Sequence, residues 1–288
     1  MKTTVGIVNW NSGPLLEACV ESVLRESGND VLVFDNGSRD DSLNFTPSAP
    51  GRVHIERSSE NRGFAGGVNE IFHRTDTPYV LLLNPDIRVP PGSIQLMEEF
   101  MDAHPRSAAV GGDVGEKYPP KNLPTAWSLV SENLGNSGVA PVDSRTRIRE
   151  STGATPEFIQ VEQVAAAAML IRREPYKDGP IFDDRFYPAW YEDVDFCRRL
   201  KRDNWEVHFA PHAKFEHSGG YSAKTMGSTQ FLTAYYRNQI RYAKKWFEWY
   251  EVMLVRASLV AGMIGRTIVR PRNAAGYGKV LLGALIGW

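Results

Sequence analysis

Cysteine is scarce in this chain: Cys19 and Cys197 are the only two among 288 residues, and each sits in an apolar helical context. Two such residues cannot build a disulfide framework, and their scarcity fits a reducing compartment. An excess of one charge is also missing. The formal net charge of −1 excludes broad electrostatic capture of nucleic acid, although basic residues gather near the C-terminus. No uninterrupted apolar run reaches the about 18 residues of a membrane span. The first run, Val5-Gly6-Ile7-Val8, stops at Asn9, too short for a signal-peptide core, and no small-residue cleavage site follows. The expectation is a cytoplasmic protein. Two familiar phosphate-binding signatures are absent as well: no Gly-x-Gly-x-x-Gly follows the first apolar run, and no Gly-Lys-Ser/Thr occurs. There is no internal repeat and no low-complexity segment.

With 42% hydrophobic and 23% charged residues, the composition supports a full core. The length suits one large α/β domain with a C-terminal extension better than two small domains. Apolar runs at Thr4–Val8, Val31–Phe34, Val53–Ile55 and Tyr79–Leu83 alternate with helical patterns at Leu15–Leu24, Gly66–His73 and Pro90–His104. Runs that are apolar on both faces and separated by helices predict a mostly parallel sheet covered on both sides. Gly112–Thr155 has little periodicity and reads as a long, substrate-facing loop region. Val164–Ile171 reads as a small-residue strand, and Thr225–Trp249 as a long helix dense in aromatics.

Three of the strands end in polar residues: Asn9-Trp10-Asn11, Asp35-Asn36-Gly37-Ser38 and Asn84-Pro85-Asp86. Asp35 and Asp86 could each simply cap a turn. Three polar strand ends in register instead favour a ligand crevice, because open parallel sheets bind ligands at the carboxyl ends of their strands. The helix opened by Asn61-Arg62-Gly63-Phe64-Ala65-Gly66-Gly67 would offer N–H groups and Arg62 to a phosphate or diphosphate, unless its glycines only shape a turn.

A second constellation is Glu192-Asp193-Val194-Asp195-Phe196-Cys197. Asp193 falls at helical spacing with Phe196, Cys197 and Leu200, so it shares the apolar stripe, where desolvation would raise its pKa toward that of a general base. Asp195 aligns with Arg198, Arg199 and Arg202 on a face expected to be solvated and ion-paired. Glu192 lies between. Acids in a first helical turn also complement the helix dipole, which suffices for Glu192 and Asp195. Of the neighbouring His208, His212 and His217, the last precedes Ser218-Gly219-Gly220 and is the best metal or phosphate candidate.

These pieces, with Glu60 through Asn69 and Leu81 through Asp86, resemble a family 2, GT-A-type glycosyltransferase, most nearly the bacterial rhamnosyltransferases that use dTDP-L-rhamnose. The resemblance runs in order from Val5 to Lys245 and is specific for the family, less so for the sugar. It implies a GT-A domain over 1–245, with a nucleotide half to about residue 110 and an acceptor half over about 111–224, then an amphipathic helical extension over 246–288. It also implies inverting transfer from a dTDP-, UDP- or GDP-sugar to a glycan or lipid-linked glycan. Asp35 would contact the base, Asn9 and Asn61 would line the nucleotide pocket, and Arg62, Gly63, Asn84 and Glu192 would contribute to substrate binding. Asp86 would be the last acid of an Asp-x-Asp motif whose first position here is Asn84, holding Mg2+ or Mn2+ with His217. Such ions keep waters and borrow substrate oxygens, so one carboxylate suffices. Asp193 would be the base.

Two other readings compete. A nucleotidyltransferase would show a Gly-rich, basic loop after the first strand, where Asn9-Trp10-Asn11-Ser12-Gly13 is short and uncharged. A non-catalytic glycan-binding module would not need Asp35, Asp86, Asp193 and His217 all intact. The C-terminus, with apolar stretches at Val252–Ile264 and Val280–Trp288, aromatic Trp246, Phe247, Trp249 and Tyr250, and Arg266, Arg270, Arg272 and Lys279, suits a helix lying on an anionic membrane surface. Packing on the domain or on a second subunit in a homodimer is the alternative.

Overall fold

The computed structural model describes residues 2–116, 118–135, 158–176, 179–217 and 226–288. The elements in chain order are β1 (Thr3–Asn9), α1 (Leu15–Glu26), β2 (Asp30–Asp35), β3 (Val53–Arg57), α2 (Gly63–Arg74), β4 (Tyr79–Leu83), β5 (Ile87–Arg88), α3 (Ser93–Ala103), β6 (Ser107–Asp113) and α4 (Ala126–Asn133). They continue as β7 (Ile159–Val161), β8 (Ala168–Arg172), α5 (Glu192–Arg202), β9 (Glu206–Lys214), β10 (Glu216–His217), α6 (Ser228–Trp246), α7 (Trp249–Val269) and α8 (Ala274–Ile286). Among the described residues, eight strands form one sheet in the order β3-β2-β1-β4-β8-β6-β9-β7.

Period-two alternation explains the continuous apolar runs. Val31, Val33, Leu81 and Leu83 pack toward α1 and α3, while Leu32, Phe34, Val80 and Leu82 point toward α2 and α5. Both faces of the sheet are therefore buried, and its β3-β2-β1-β4 portion is parallel. A third apolar cluster joins α4, α6, α7 and α8 through Leu129, Ile240, Val255, Leu259 and Val280.

The sheet departs from a simple parallel array at two strands. The edge strand β7 runs antiparallel to β9. β8 runs antiparallel to both β4 and β6. Its small-residue approach is not strand: Val164 through Ala167 lie outside it, with Val164 packed on Gly111, where any Cβ would meet the Val164 side chain at 2.5 Å. The Gly112–Thr155 region holds the end of β6 and the helix α4, started by a Thr125–Ser128 capping box, so it is not wholly irregular. Residues 117 and 136–157 of it lie outside the described residues. The histidine-bearing stretch is strand β9.

The C-terminal reading needs one correction. Helix α7 runs 21 residues and contains an 18-residue window with a mean hydropathy of 1.6, long and apolar enough to cross a membrane by length and composition. Counting uninterrupted apolar residues broke at Arg256 and Arg266. Both guanidinium groups turn back onto the protein, donating to Ala284 O at 2.9 Å and Asn133 O at 2.7 Å. One side of α7, through Val252, Val255, Leu259 and Met263, is buried in the third cluster.

Candidate active site

A cavity of about 640 Å3 opens at the carboxyl ends of β1, β2 and β4. Beneath it the strand ends are tied into one network. The fully buried Asn9 donates from Nδ2 to Asp35 Oδ1 at 2.8 Å, Ser42 Oγ at 2.9 Å and Ser38 Oγ at 3.1 Å, and its Oδ1 accepts from the Ser12 hydroxyl. Asp35 Oδ2 accepts from the Ser38 N–H at 3.2 Å. Asn9 is thus a buried brace that orients Asp35, not a wall of the cavity. Trp10, Asn36, Asn61 and Asn84 are wall residues.

The start of α2 is closed to a phosphate by its own surroundings. The Arg62 N–H donates to Asn36 Oδ1 at 3.1 Å, that of Gly63 to Asn61 Oδ1 at 2.7 Å and that of Phe64 to Pro188 O at 2.7 Å. The Arg62 guanidinium pairs with Glu70 at 2.5 Å. Glycine is required at 63 because φ is +76° and a Cβ would sit 2.9 Å from Pro188 O. Of the three glycines in this motif, Gly63 lets residues 187–188 dock, while Gly67 packs against Val8.

Asp86 and His217 are brought together by a two-strand ribbon. β5 begins one residue after Asp86 and pairs with β10, His217 lying opposite Ile87. His217 Nε2 lies 3.1 Å from Asp86 Oδ1, both side chains are buried, and His217 Nδ1 has no partner among the described residues. Among the described residues no group of three or more His, Cys, Asp or Glu side chains forms a metal cluster. A carboxylate oxygen and an imidazole nitrogen 3.1 Å apart, with Asn84 nearby, fit a hard divalent cation that takes its remaining ligands from a diphosphate and water. The other histidines go elsewhere: His208 sits 3.0 Å from Ser107 Oγ against Phe100, and His212 is exposed. Residues 218–220 lie outside the described residues.

On the opposite wall, α5 begins after two non-glycine residues in the left-handed region, Trp190 at φ +77° and Tyr191 at φ +75°. Such conformations cost of order 1–3 kcal/mol each and persist only where surroundings enforce them. Here Asn238 of α6 donates to Ala189 O at 2.8 Å and Trp190 O at 3.1 Å, while Tyr235 and Tyr242 pack on Tyr191. The turn presents Glu192 and Asp193 to the cavity. Asp193 accepts from Ala166 N–H at 3.3 Å and from Val194 N–H at 2.8 Å. Burial pushes its pKa up, and these N–H groups and Lys121 oppose the rise. Burial, and then the charge of Asp193, push Glu192 well above the carboxylate range; its Oε2 has no partner among the described residues.

The helical-face reading is corrected on one acid. Asp195 is not solvated but fully buried, bound by Arg199 at 3.0 Å, Lys245 at 2.8 Å and Trp246 Nε1 at 2.8 Å. Helix α6 covers the face that periodicity assigned to solvent. Asp193 differs from Phe196, Cys197 and Leu200 in reaching the cavity instead of the core. Both cysteines are free and buried, with burial pushing each thiol up to about 12.

Residues 4–179 match the family described as Glycosyl transferase family 2. The chain belongs to that family. It is therefore an inverting glycosyltransferase. A curated relative is the N-acetylglucosaminyl-diphospho-decaprenol L-rhamnosyltransferase of Mycobacterium tuberculosis, 26% identical over 236 residues, covering 75% of this chain and 75% of that protein. The succinoglycan biosynthesis protein ExoU of Rhizobium meliloti is 28% identical over 145 residues, 45% of this chain and 42% of that one. The GT-A fold is shared with GalNAc-T7 bound to UDP, GalNAc and Mn2+, at TM-score 0.70, 13% identity, 100% of this chain and 56% of that one. It is also shared with the mannosyltransferase PcManGT of Pyrobaculum calidifontis in complex with GDP-Man and Mn2+, at TM-score 0.55, 14% identity, 99% of this chain and 87% of that one.

Within this glycosyltransferase, sequence reasoning missed Tyr118, Lys121, Glu132, Gln163 and Tyr235, all cavity residues. None carries a motif. They come from segments far apart in the chain, and only the fold brings them to one wall.

Proposed function

We propose that this enzyme transfers L-rhamnose from a nucleoside-diphosphate donor to a hydroxyl of a lipid-linked glycan, inverting the anomeric carbon. One observation carries the reading: a single cavity is lined by Asn84, Asp86 and His217 on one side and by Glu192 and Asp193 on the other. The Mycobacterium tuberculosis relative supports the choice of sugar and acceptor.

In this reading Asp35, oriented by Asn9, contacts the base, and Asn61 and Asn84 line the nucleotide site. Asp86 and His217 hold Mg2+ or Mn2+, which when bound neutralises charge on the departing diphosphate. Asp193 takes the proton of the acceptor hydroxyl as that oxygen forms its bond to the anomeric carbon. The bond from carbon to the diphosphate oxygen breaks on the opposite face. The raised pKa of Asp193 suits it to accept that proton near neutral pH.

The C-terminal helices suit an enzyme working on lipid at the inner membrane face. Trp249, Met253, Ile268, Val269 and Ile286 are exposed, with Arg270, Arg272 and Lys279 beside them. Apolar side chains flanked by cations favour anionic lipid surfaces.

Two measurements test this. In calorimetry with dTDP-rhamnose, UDP- and GDP-sugars, with and without Mn2+, dTDP-rhamnose is expected to bind best and to need the metal. Equal, weak heats for all donors would sink the donor assignment. In co-sedimentation with phosphatidylglycerol vesicles, wild type is expected to pellet and an Ile268→Glu, Val269→Glu, Ile286→Glu variant to stay in solution. A wild type that remains soluble as a dimer makes this face a subunit interface instead.

A further inference from the structure

The cavity has a second polar wall that the reaction scheme above does not use. Helix α4 carries Glu132 into it, and Tyr235 of α6 donates its hydroxyl to Glu132 Oε1 at 2.6 Å. The end of α4 is fixed from behind. Arg266 of α7 donates to Glu132 O at 3.1 Å and Asn133 O at 2.7 Å, and Asn133 Nδ2 donates to Ser258 Oγ at 3.1 Å. Two further side chains on the lining are buried and incompletely bonded among the described residues: Gln163, 8% exposed, with Oε1 unpartnered, and Glu192, 5% exposed, with Oε2 unpartnered. A buried acceptor without a donor is unfavourable until one arrives.

The chemistry of this wall selects its occupant. Tyr235 already satisfies one Glu132 oxygen, so what the wall offers a ligand is the second Glu132 oxygen, the amide oxygen of Gln163 and the Glu192 carboxyl, which its burial favours in the protonated form. With Lys121 close enough to Glu132 to offset part of its charge, these acceptor oxygens call for a group rich in O–H or N–H. A neutral sugar ring supplies both. We propose that Glu132, held by Tyr235, forms with Gln163 and Glu192 the subsite for the acceptor sugar, and that it reads hydroxyl or amide N–H groups of a neutral pyranose. Tyr235 is a positioning residue that acts through Glu132. This assignment rests on the glycosyl-transfer reading and gives the C-terminal helices a direct part in substrate choice.

The test uses the full-length chain with a donor sugar and a soluble acceptor, an alkyl N-acetylglucosaminide. Glu132→Ala is expected to raise the acceptor KM by about 10- to 100-fold, the range for losing a hydrogen bond to a charged group. Affinity for the nucleoside diphosphate with Mn2+, measured by calorimetry, is expected to stay within about twofold. Glu132→Gln keeps an acceptor oxygen, is expected to fold if Glu132→Ala does not, and should recover most of the lost affinity. Tyr235→Phe is expected to raise the acceptor KM less than Glu132→Ala and to add nothing on top of it. An unchanged acceptor KM in folded Glu132→Ala and Glu132→Gln, with nucleotide binding intact, overturns the subsite while leaving the transferase reading in place. A wild type that binds no nucleotide sugar overturns that reading, and the subsite with it.

Discussion

The two walls of the cavity are built on opposite principles. At the strand ends, Asn9, Asp35 and Asn36 bond to one another's loops, and Asn9 alone reaches three partners through one amide nitrogen. On the α5 wall, Glu192 Oε2 and Gln163 Oε1 lack partners, and Trp190 and Tyr191 hold left-handed backbone. The first wall is a frame of strand-end residues bonded to one another across 26 to 33 positions of sequence. The second carries an energetic cost that the helices α6 and α7 must offset, and such costs concentrate where chemistry happens. The largest effect is therefore expected on the second wall. Asp193→Asn keeps the shape but removes the proton acceptor, and transfer is expected to fall about 10²–10⁴-fold, the usual contribution of a general base. Donor binding, seated on the first wall, is expected to change little by calorimetry. A mutant retaining more than about a tenth of the wild-type rate moves the base to another residue, Glu192 first.

Two residues further on, the contrast recurs within one helix. Asp193 faces the cavity, whereas Asp195 is fully buried with Arg199, Lys245 and Trp246 around it. Asp195 fastens α5 to α6, and through α6 to the Asn238 bonds that hold the turn at 189–191. Asp195→Ala leaves two cations facing a hole. Removing one partner of a buried pair costs about 3–5 kcal/mol, and the lower end is expected because Lys245 retains Asp183 at 2.8 Å. Denaturant unfolding reads this directly. A loss below about 1 kcal/mol would mean that the cluster is replaceable packing.

What could be read from the sequence follows the same division. The parallel half was legible because Val31–Phe34 and Tyr79–Leu83 are short, wholly apolar runs with polar ends, a pattern few other structures produce. Asn9, Asp35, Asn84 and Asp86 were legible as neighbours for that reason, although not which of them lines the cavity and which braces it. Asp195 was misplaced because periodicity describes one helix and says nothing of a second helix arriving from the other side. β8 was extended too far because Val164 packs on Gly111 and Ala165 through Ala167 line the cavity instead of joining the strand. Glu132 and Tyr235 were invisible: they lie 103 positions apart and meet only through tertiary structure.

Between the walls stands the Asp86–His217 pair, placed by a ribbon of two residues per strand. Asp86→Ala is expected to weaken Mn2+-dependent nucleotide binding by about 10- to 100-fold, the scale seen when metal-site partners are lost. His217→Ala is expected to do so less, because a diphosphate oxygen or water can replace an imidazole more readily than a charge. Titrating nucleoside diphosphate with and without Mn2+ decides it. Equal affinities in both conditions leave Asp86 as a turn residue with His217 as its hydrogen-bond partner.

The smallest effect concerns what the unpartnered carboxyl of Glu192 costs the fold. Burial pushes its pKa well above the ordinary value of 4.5, and the charge of Asp193 adds to the rise. The folded protein thus holds a proton at pH values where the unfolded chain has released it. Stability from this group is fully present below the ordinary carboxylate range and is lost as pH rises through the higher folded value. Glu192→Gln mimics the protonated side chain and does not titrate. The variant and wild type are expected to melt together near pH 4.5, and the variant to melt progressively higher than wild type as pH approaches 8. Each kcal/mol of difference reads as roughly 2–4 °C in domains of comparable size. A constant gap across this range would mean that Glu192 titrates alike in both states. The cavity wall would then already be wet enough to solvate a charge, and the contrast between a satisfied frame and a costly one would have to rest on Trp190 and Tyr191 alone.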